Sequence, residues 1–154
     1  MDDLTAHYFR HFHNNLPIIS RARFQSSLVT TGNPPSADIS VLLLSVCLIA
    51  YGGSDLRDKD PAAIGRSSLY LATKALVAQV QGSMQQPSIS LIQATLLLAI
   101  YEYANGKPQI GLVTMAGCAR MGYTARIHIR RHTGSQAEVE EAGNTWWAIV
   151  MYER

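Results

Sequence analysis

The 154-residue chain is short of charge: Asp, Glu, Lys and Arg make up 16% of it, against about 25% in an ordinary soluble domain. Apolar residues reach 47% even before the 11 glycines are counted. Intrinsic disorder is therefore excluded, and so little charge cannot cover so much apolar surface. The surplus is expected to be hidden against a partner or against further protein. Cysteine is scarce as well. Cys47 and Cys118 are the only two, too few for a disulfide framework or a multi-cysteine zinc module. Each lies in an apolar stretch, where a reduced, buried thiol is the usual state. Charge of one sign is also lacking, since 13 basic and 11 acidic residues leave +2 with histidine neutral. A free-standing nucleic-acid binder carries a stronger or more clustered cationic excess. The opening Met1-Asp2-Asp3 has neither the cationic nor the apolar region of a signal peptide. The longest apolar run, Ile39 to Tyr51, is shorter than the roughly 20 residues a bilayer span needs. These absences predict an intracellular chain with no membrane partner.

Catalytic signatures are missing too. No Gly-x-Ser-x-Gly elbow, Walker loop, His-Glu-x-x-His or dinucleotide glycine fingerprint occurs. Asn105-Gly106-Lys107-Pro108 shares only its Gly-Lys pair with a phosphate loop, and Pro108 would break the helix such a loop requires. It reads as a helix end. His7 and His11 stand one helical turn apart, but nothing nearby completes a ligand set, so no metal and no cofactor is expected in this chain. Glu102, at the end of an apolar helix, is the one candidate for an isolated buried acid. Its expected role is an ion pair with Arg120 of the next helix. Without a nucleophile or an acid–base couple at readable spacing, the chain is not expected to be an enzyme. A helical enzyme-like domain using that buried acid remains the rival. The basic cluster Arg126, His128, Arg130, Arg131 and His132 could meet phosphates. No aromatic residues interleave it for base stacking, and it reads as a solvated loop offsetting Glu138, Glu140 and Glu141.

What the sequence does have is helical spacing punctuated by proline and glycine. Leu4, Tyr8 and Phe12 share one face of a first helix that Pro17 ends. A short amphipathic piece carries Phe24 and Leu28, and Gly32-Asn33-Pro34-Pro35 is a loop. Ser36 caps a helix with Asp38 in its first turn. From Ile39 to Ala50 that helix is apolar all round, hence central, and Gly52-Gly53 stops it. Asp60-Pro61 starts the next, which runs at helical spacing to Gly82. Ser90 and Gln93 form a capping box for a buried helix closed by Gly106 and Pro108. Another spans Gln109 to Thr124, with Gly111, Ala116, Gly117 and Ala119 permitting close approach. Ser135 and Glu138 make a second capping box for the last helix, whose adjacent Trp146 and Trp147 cannot share a face; core packing of both is the default expectation, and the alternative is one in the core and the other lining a cavity or interface. The predicted fold is all-α, an irregular bundle of about seven helices over residues 1–154, incomplete at its carboxyl end.

Several of these residues together carry a family resemblance. Tyr8-Phe9, His13, Leu16-Pro17-Ile18-Ile19 and Phe24 resemble the opening of the fungal-specific transcription factor domain. The apolar helix and Leu69-Tyr70-Leu71-Ala72 follow in order. Ser90-Leu91-Ile92-Gln93-Ala94-Thr95-Leu96-Leu97-Leu98 is similar to that family's leucine-rich helix, which leads into Tyr101-Glu102. Ala116-Gly117-Cys118-Ala119-Arg120-Met121-Gly122-Tyr123, Ile127-His128, Glu140-Glu141, Trp146-Trp147 and Glu153-Arg154 complete the pattern. Two positions depart from it. Arg126 stands where the family's Leu-Gly-Leu-His segment has glycine, and Gly143-Asn144 replaces an arginine pair.

The resemblance implies part of the regulatory middle region of a nuclear, fungal six-cysteine zinc-cluster transcription factor, truncated because the family domain continues past the Trp-Trp helix. It implies that DNA and zinc are met only through a cysteine-rich module absent from this chain. A small-molecule inducer, a protein partner or a second copy would be received between the helices. Tyr101, Glu102, Arg120 and Trp146 are the candidate pocket or structural-pair residues. The competing readings are a helical interaction or small-molecule-binding domain with no DNA role, and the enzyme-like domain above.

Overall fold

The computed structural model describes residues 2–29, 32–52, 61–129 and 134–154. Seven α-helices follow in order: α1 Asp2–His7, α2 Arg21–Leu28, α3 Ala37–Gly52, α4 Pro61–Ser83, α5 Ile89–Ala104, α6 Pro108–Thr124 and α7 Gln136–Glu153. No strand occurs among the described residues, so the all-α expectation holds. No described helix is long and apolar enough to cross a membrane.

Helix α5 is the axis of the bundle. Every residue from Leu91 to Glu102 is buried, because α3 and α6 flank it and α4 and α7 close the remaining sides. Helix α3 has no exposed side chain from Asp38 to Ala50, as its unbroken apolar run requires. The cap of α5 differs from expectation. Ser88, not Ser90, is the N-cap, its hydroxyl accepting from the Leu91 amide at 3.2 Å. Starting there turns Gln93 inward, where its amide meets the otherwise unpaired carbonyl of Ile18. A buried carbonyl needs such a donor. Asp38 joins the starts of α3 and α5. Burial pushes its carboxyl up, but hydrogen bonds from Ser36, Ser88 and the Ile39 amide outweigh that and hold it below the usual carboxylate range.

The first helix widens into a π turn over Tyr8–Phe12, closed by the His13 amide on the Tyr8 carbonyl at 3.0 Å. The extra residue in the turn lets Tyr8 and Phe9 both bury, where ideal α spacing would favour Tyr8 alone. Phe9 then meets Phe24 at 6.0 Å and fastens α2. Helix α6 lies close to α5 because a Cβ on Gly111 would stand 3.2 Å from both the Ala99 carbonyl oxygen and the Tyr103 ring. Ala119 is likewise at a contact, but Ala116 is exposed and Gly117 faces open space. Only half of that small-residue series serves close packing.

The Ser135–Glu138 capping box forms as expected. Beyond it Ala148 and Ile149 are buried while Trp147 is 66% exposed, so the two tryptophans do not share the core. Pro61 is the first residue of α4, and α4 continues one residue past Gly82; the proposed cap at Asp60 and the stop at Gly53 lie outside the described residues. Cys47 and Cys118 are free and buried. Burial pushes both thiols up, and Cys118 donates to the Ile92 carbonyl at 3.4 Å.

Candidate functional site

Glu102 occupies the last turn of α5 with no solvent exposure. Its Oε1 accepts from the Tyr70 hydroxyl at 2.8 Å and from Lys74 Nζ at 2.6 Å, both on α4. Its Oε2 accepts from the Thr114 hydroxyl of α6 at 2.6 Å. One carboxylate thus closes three helices. Tyr70 stacks on Tyr101 at 5.5 Å, and Lys107 Nζ stands 3.9 Å from the Tyr70 ring centre. Burial first, and then the Glu102 carboxylate, push the Tyr70 hydroxyl up. Burial lowers the Lys74 ammonium, but its contacts with Glu102 outweigh that and raise it. Arg120, the expected partner, is exposed elsewhere on α6. The rotation of α4 brings Lys74 to the carboxylate instead, one turn beyond Tyr70. Both carboxylate oxygens are engaged by α4 and α6 side chains. This is a structural tie.

A second carboxylate works at the opposite end of α5. Glu141 of α7 is buried. Its Oε1 accepts from the Ser20 amide at 3.0 Å and from Gln93 Nε2 at 3.2 Å, and its Oε2 accepts from the Arg23 guanidinium. Gln93 Nε2 also donates to the Ile18 carbonyl at 2.6 Å, while Gln93 Oε1 has no partner among the described residues. Asn144, standing in place of the family's arginine, holds the Pro17 carbonyl at 3.0 Å. Neither Gln93 nor Glu141 was legible as a tie, because their partners lie far away in sequence.

The third feature is aromatic. Trp146 is half-buried and meets Tyr123 edge-on at 4.9 Å and His128 at 5.5 Å. Beside them a groove of about 930 Å³ lies between the first half of α7, the segment 125–129 and the approach to α5. The segment begins with a Schellman cap on α6: the Arg126 amide bonds the Tyr123 carbonyl at 3.0 Å, and the Ile127 amide bonds that of Gly122 at 3.1 Å. Arg126 takes φ +57° there, so the turn keeps the left-handed conformation the family's glycine would adopt.

The four candidate residues are therefore not one pocket. Tyr101 and Glu102 sit at the carboxyl end of α5, Arg120 is exposed on α6, and Trp146 lines the groove. Arg130, Arg131 and His132 of the basic cluster lie outside the described residues; Arg126 and His128 line the groove. The His7 and His11 rings stand 4.6 Å apart, and no group of three metal-capable side chains exists among the described residues. The zinc cluster implied by the resemblance needs six thiolates. Two buried cysteines on separate helices do not fit it.

Comparison with known proteins gives three relatives and a family. The profile of the fungal specific transcription factor domain matches residues 5–154. The chain is 30% identical over 128 residues to the transcription factor BOA15 of Botryotinia fuckeliana, covering 83% of this chain and 68% of that protein. It is 26% identical to the transcription factor tazR of Aspergillus terreus, over 99% of this chain and 24% of that protein. It is 31% identical to the transcription factor AN6788 of Emericella nidulans, over 56% of this chain and 14% of that protein. The chain thus spans a minor part of the last two. No solved structure matches it significantly.

Proposed function

The chain belongs to the fungal specific transcription factor domain family, and from that premise we propose that it acts in the nucleus as the regulatory module of a transcription factor whose DNA contact is made by a separate zinc cluster. The observation that carries this reading is the family match along residues 5–154, and it is supported by a core whose buried charges are spent on joining helices. Glu102 holds α4 and α6 to α5, and Glu141 holds α2 and α7 to it. Transcription factors of this kind are in general not enzymes, and neither carboxylate is presented to a substrate.

The test is a tethering experiment. The chain fused to a heterologous DNA-binding domain should change transcription from a matching reporter several-fold relative to that domain alone. The purified chain should show no duplex binding at low salt. A fusion that is expressed, nuclear and inert on the reporter would refute the reading.

A further inference from the structure

We propose that the groove beside Trp146 and Trp147 binds a small aromatic or conjugated carboxylate, its ring against the indoles and its anion on Arg126. The charges lining the groove single out that residue. Arg23 is engaged by Glu141 and reaches Glu138 at 3.7 Å. Glu138 is also committed to the α7 cap, and Glu140 accepts from the Gln136 amide at 2.8 Å. Arg126 is exposed and has no carboxylate partner among the described residues. Among the described residues Arg126 is therefore the guanidinium of the lining without a carboxylate partner, while Glu138 and Glu140 of α7 keep their negative charge, and a guanidinium matches a carboxylate with two parallel hydrogen bonds.

The backbone supports the same assignment. Arg126 sits at φ +57°, where glycine fits without steric cost and a residue with a Cβ is strained. Strain retained beside a cleft is an observation that points toward function. The groove wall is also unusually aromatic for open surface. Trp147 is 66% exposed, and Trp146 with His128 forms a further aromatic surface at 5.5 Å. Ile127 and Val139 add apolar lining. At about 930 Å³ the groove falls within the range of about 300–1,000 Å³ seen for small-molecule sites.

That such a ligand would act as an effector rests on the regulatory reading, but the binding itself does not. The test therefore uses the purified chain and no transcription. Tryptophan fluorescence and calorimetry would follow titration with trans-cinnamate, with neutral cinnamamide, and with a single-stranded thymidine 12-mer, which shares ring and anion chemistry. Cinnamate should bind saturably and at least tenfold more tightly than the amide. Arg126→Gly should weaken cinnamate at least tenfold, to the amide's level, while raising the melting temperature, so that lost binding cannot be lost folding. Trp147→Ala should weaken both small probes. The site is refuted by the absence of saturable cinnamate binding at millimolar concentration, by equal affinity for acid and amide, by unchanged cinnamate affinity in Arg126→Gly, or by preference for the oligonucleotide. Each of those results leaves the reporter experiment to stand or fall separately.

Discussion

The two ends of α5 are fastened by carboxylates of different character. At its carboxyl end the acid belongs to α5 itself, and Glu102 draws donors that are 12 to 32 residues away in sequence. At its amino end the acid comes from α7, and Glu141 draws on Arg23 and Ser20, 118 and 121 residues away. The first tie joins consecutive helices; the second joins the two extremes of the chain. Closing a longer loop costs more entropy, so the second tie forms against a larger penalty when the chain folds. The groove lies on that amino end of α5.

Breaking each tie in turn should expose the difference. Glu102→Ala removes a fully buried acid, leaving the Tyr70 hydroxyl without its acceptor and the Thr114 hydroxyl with the Ile110 carbonyl at 3.1 Å. The expected destabilisation is about 3–4 kcal/mol, read as a lower urea midpoint at unchanged slope. Glu141→Ala should cost less, about 2–3 kcal/mol. Its Arg23 partner keeps Glu138 at 3.7 Å and Gln93 keeps the Ile18 carbonyl, although the Ser20 amide loses its acceptor. If Glu141→Ala proves the costlier change, the ranking of the two ends is reversed. Gln93→Leu comes next at about 1–2 kcal/mol, because it strips the Ile18 carbonyl of its donor but also removes the unpartnered Oε1.

That ordering could not have been read from the sequence, and the reason is physical. Features decided within one helical turn were legible: the Ser135–Glu138 box, the all-apolar α3, the punctuation at Gly106 and Pro108. Features decided by how one helix is rotated against another were not. Arg120 and Lys74 are both cations near helix positions that could meet Glu102, and only the rotation of α4 selects Lys74. Ser88 and Ser90 are both good caps, and only the buried Ile18 carbonyl, 75 residues from Gln93, selects the first. Trp147 looks like core beside Ala148 and Ile149, yet on a helix its neighbour Trp146 takes the inward side. The candidate site suffered most, since its four residues came from three separate places.

The helix ends repeat the contrast on a smaller scale. Helix α5 closes in a Schellman cap at Gly106, φ +71°, with the Lys107 amide on the Glu102 carbonyl at 2.9 Å. Helix α6 closes in the same cap with Arg126 at φ +57°. The end of α5 has glycine where the geometry favours it, and the end of α6 at the groove does not. Gly106→Ala should destabilise by about 1 kcal/mol, and Arg126→Gly should stabilise by about 0.5–1 kcal/mol. Thermal melts of the two variants should move in opposite directions. Shifts of the same sign would mean that the two caps are not equivalent.

The smallest effect should be a pH dependence confined to the amino end of α5. His13 follows the π turn, with its ring against Phe9 at 5.2 Å and its Nδ1 buried without a partner among the described residues. Burial, and then the Arg21 guanidinium, hold its pKa below the ordinary 6.5. The fold therefore prefers the neutral ring, and as pH falls the unfolded chain takes up this proton first. The stability His13 supports is full above pH 6.5 and is lost as pH falls through the depressed folded value. Between pH 7 and pH 5 the melting temperature should decline more steeply in the wild type than in His13→Gln, whose side chain does not titrate. The segment this ring anchors leads directly into Ile18 and Ser20, which meet Gln93 and Glu141. Acid should thus loosen the Ser20 amide before it touches the Glu102 end, and hydrogen exchange at those two places would show whether the ends melt apart or together.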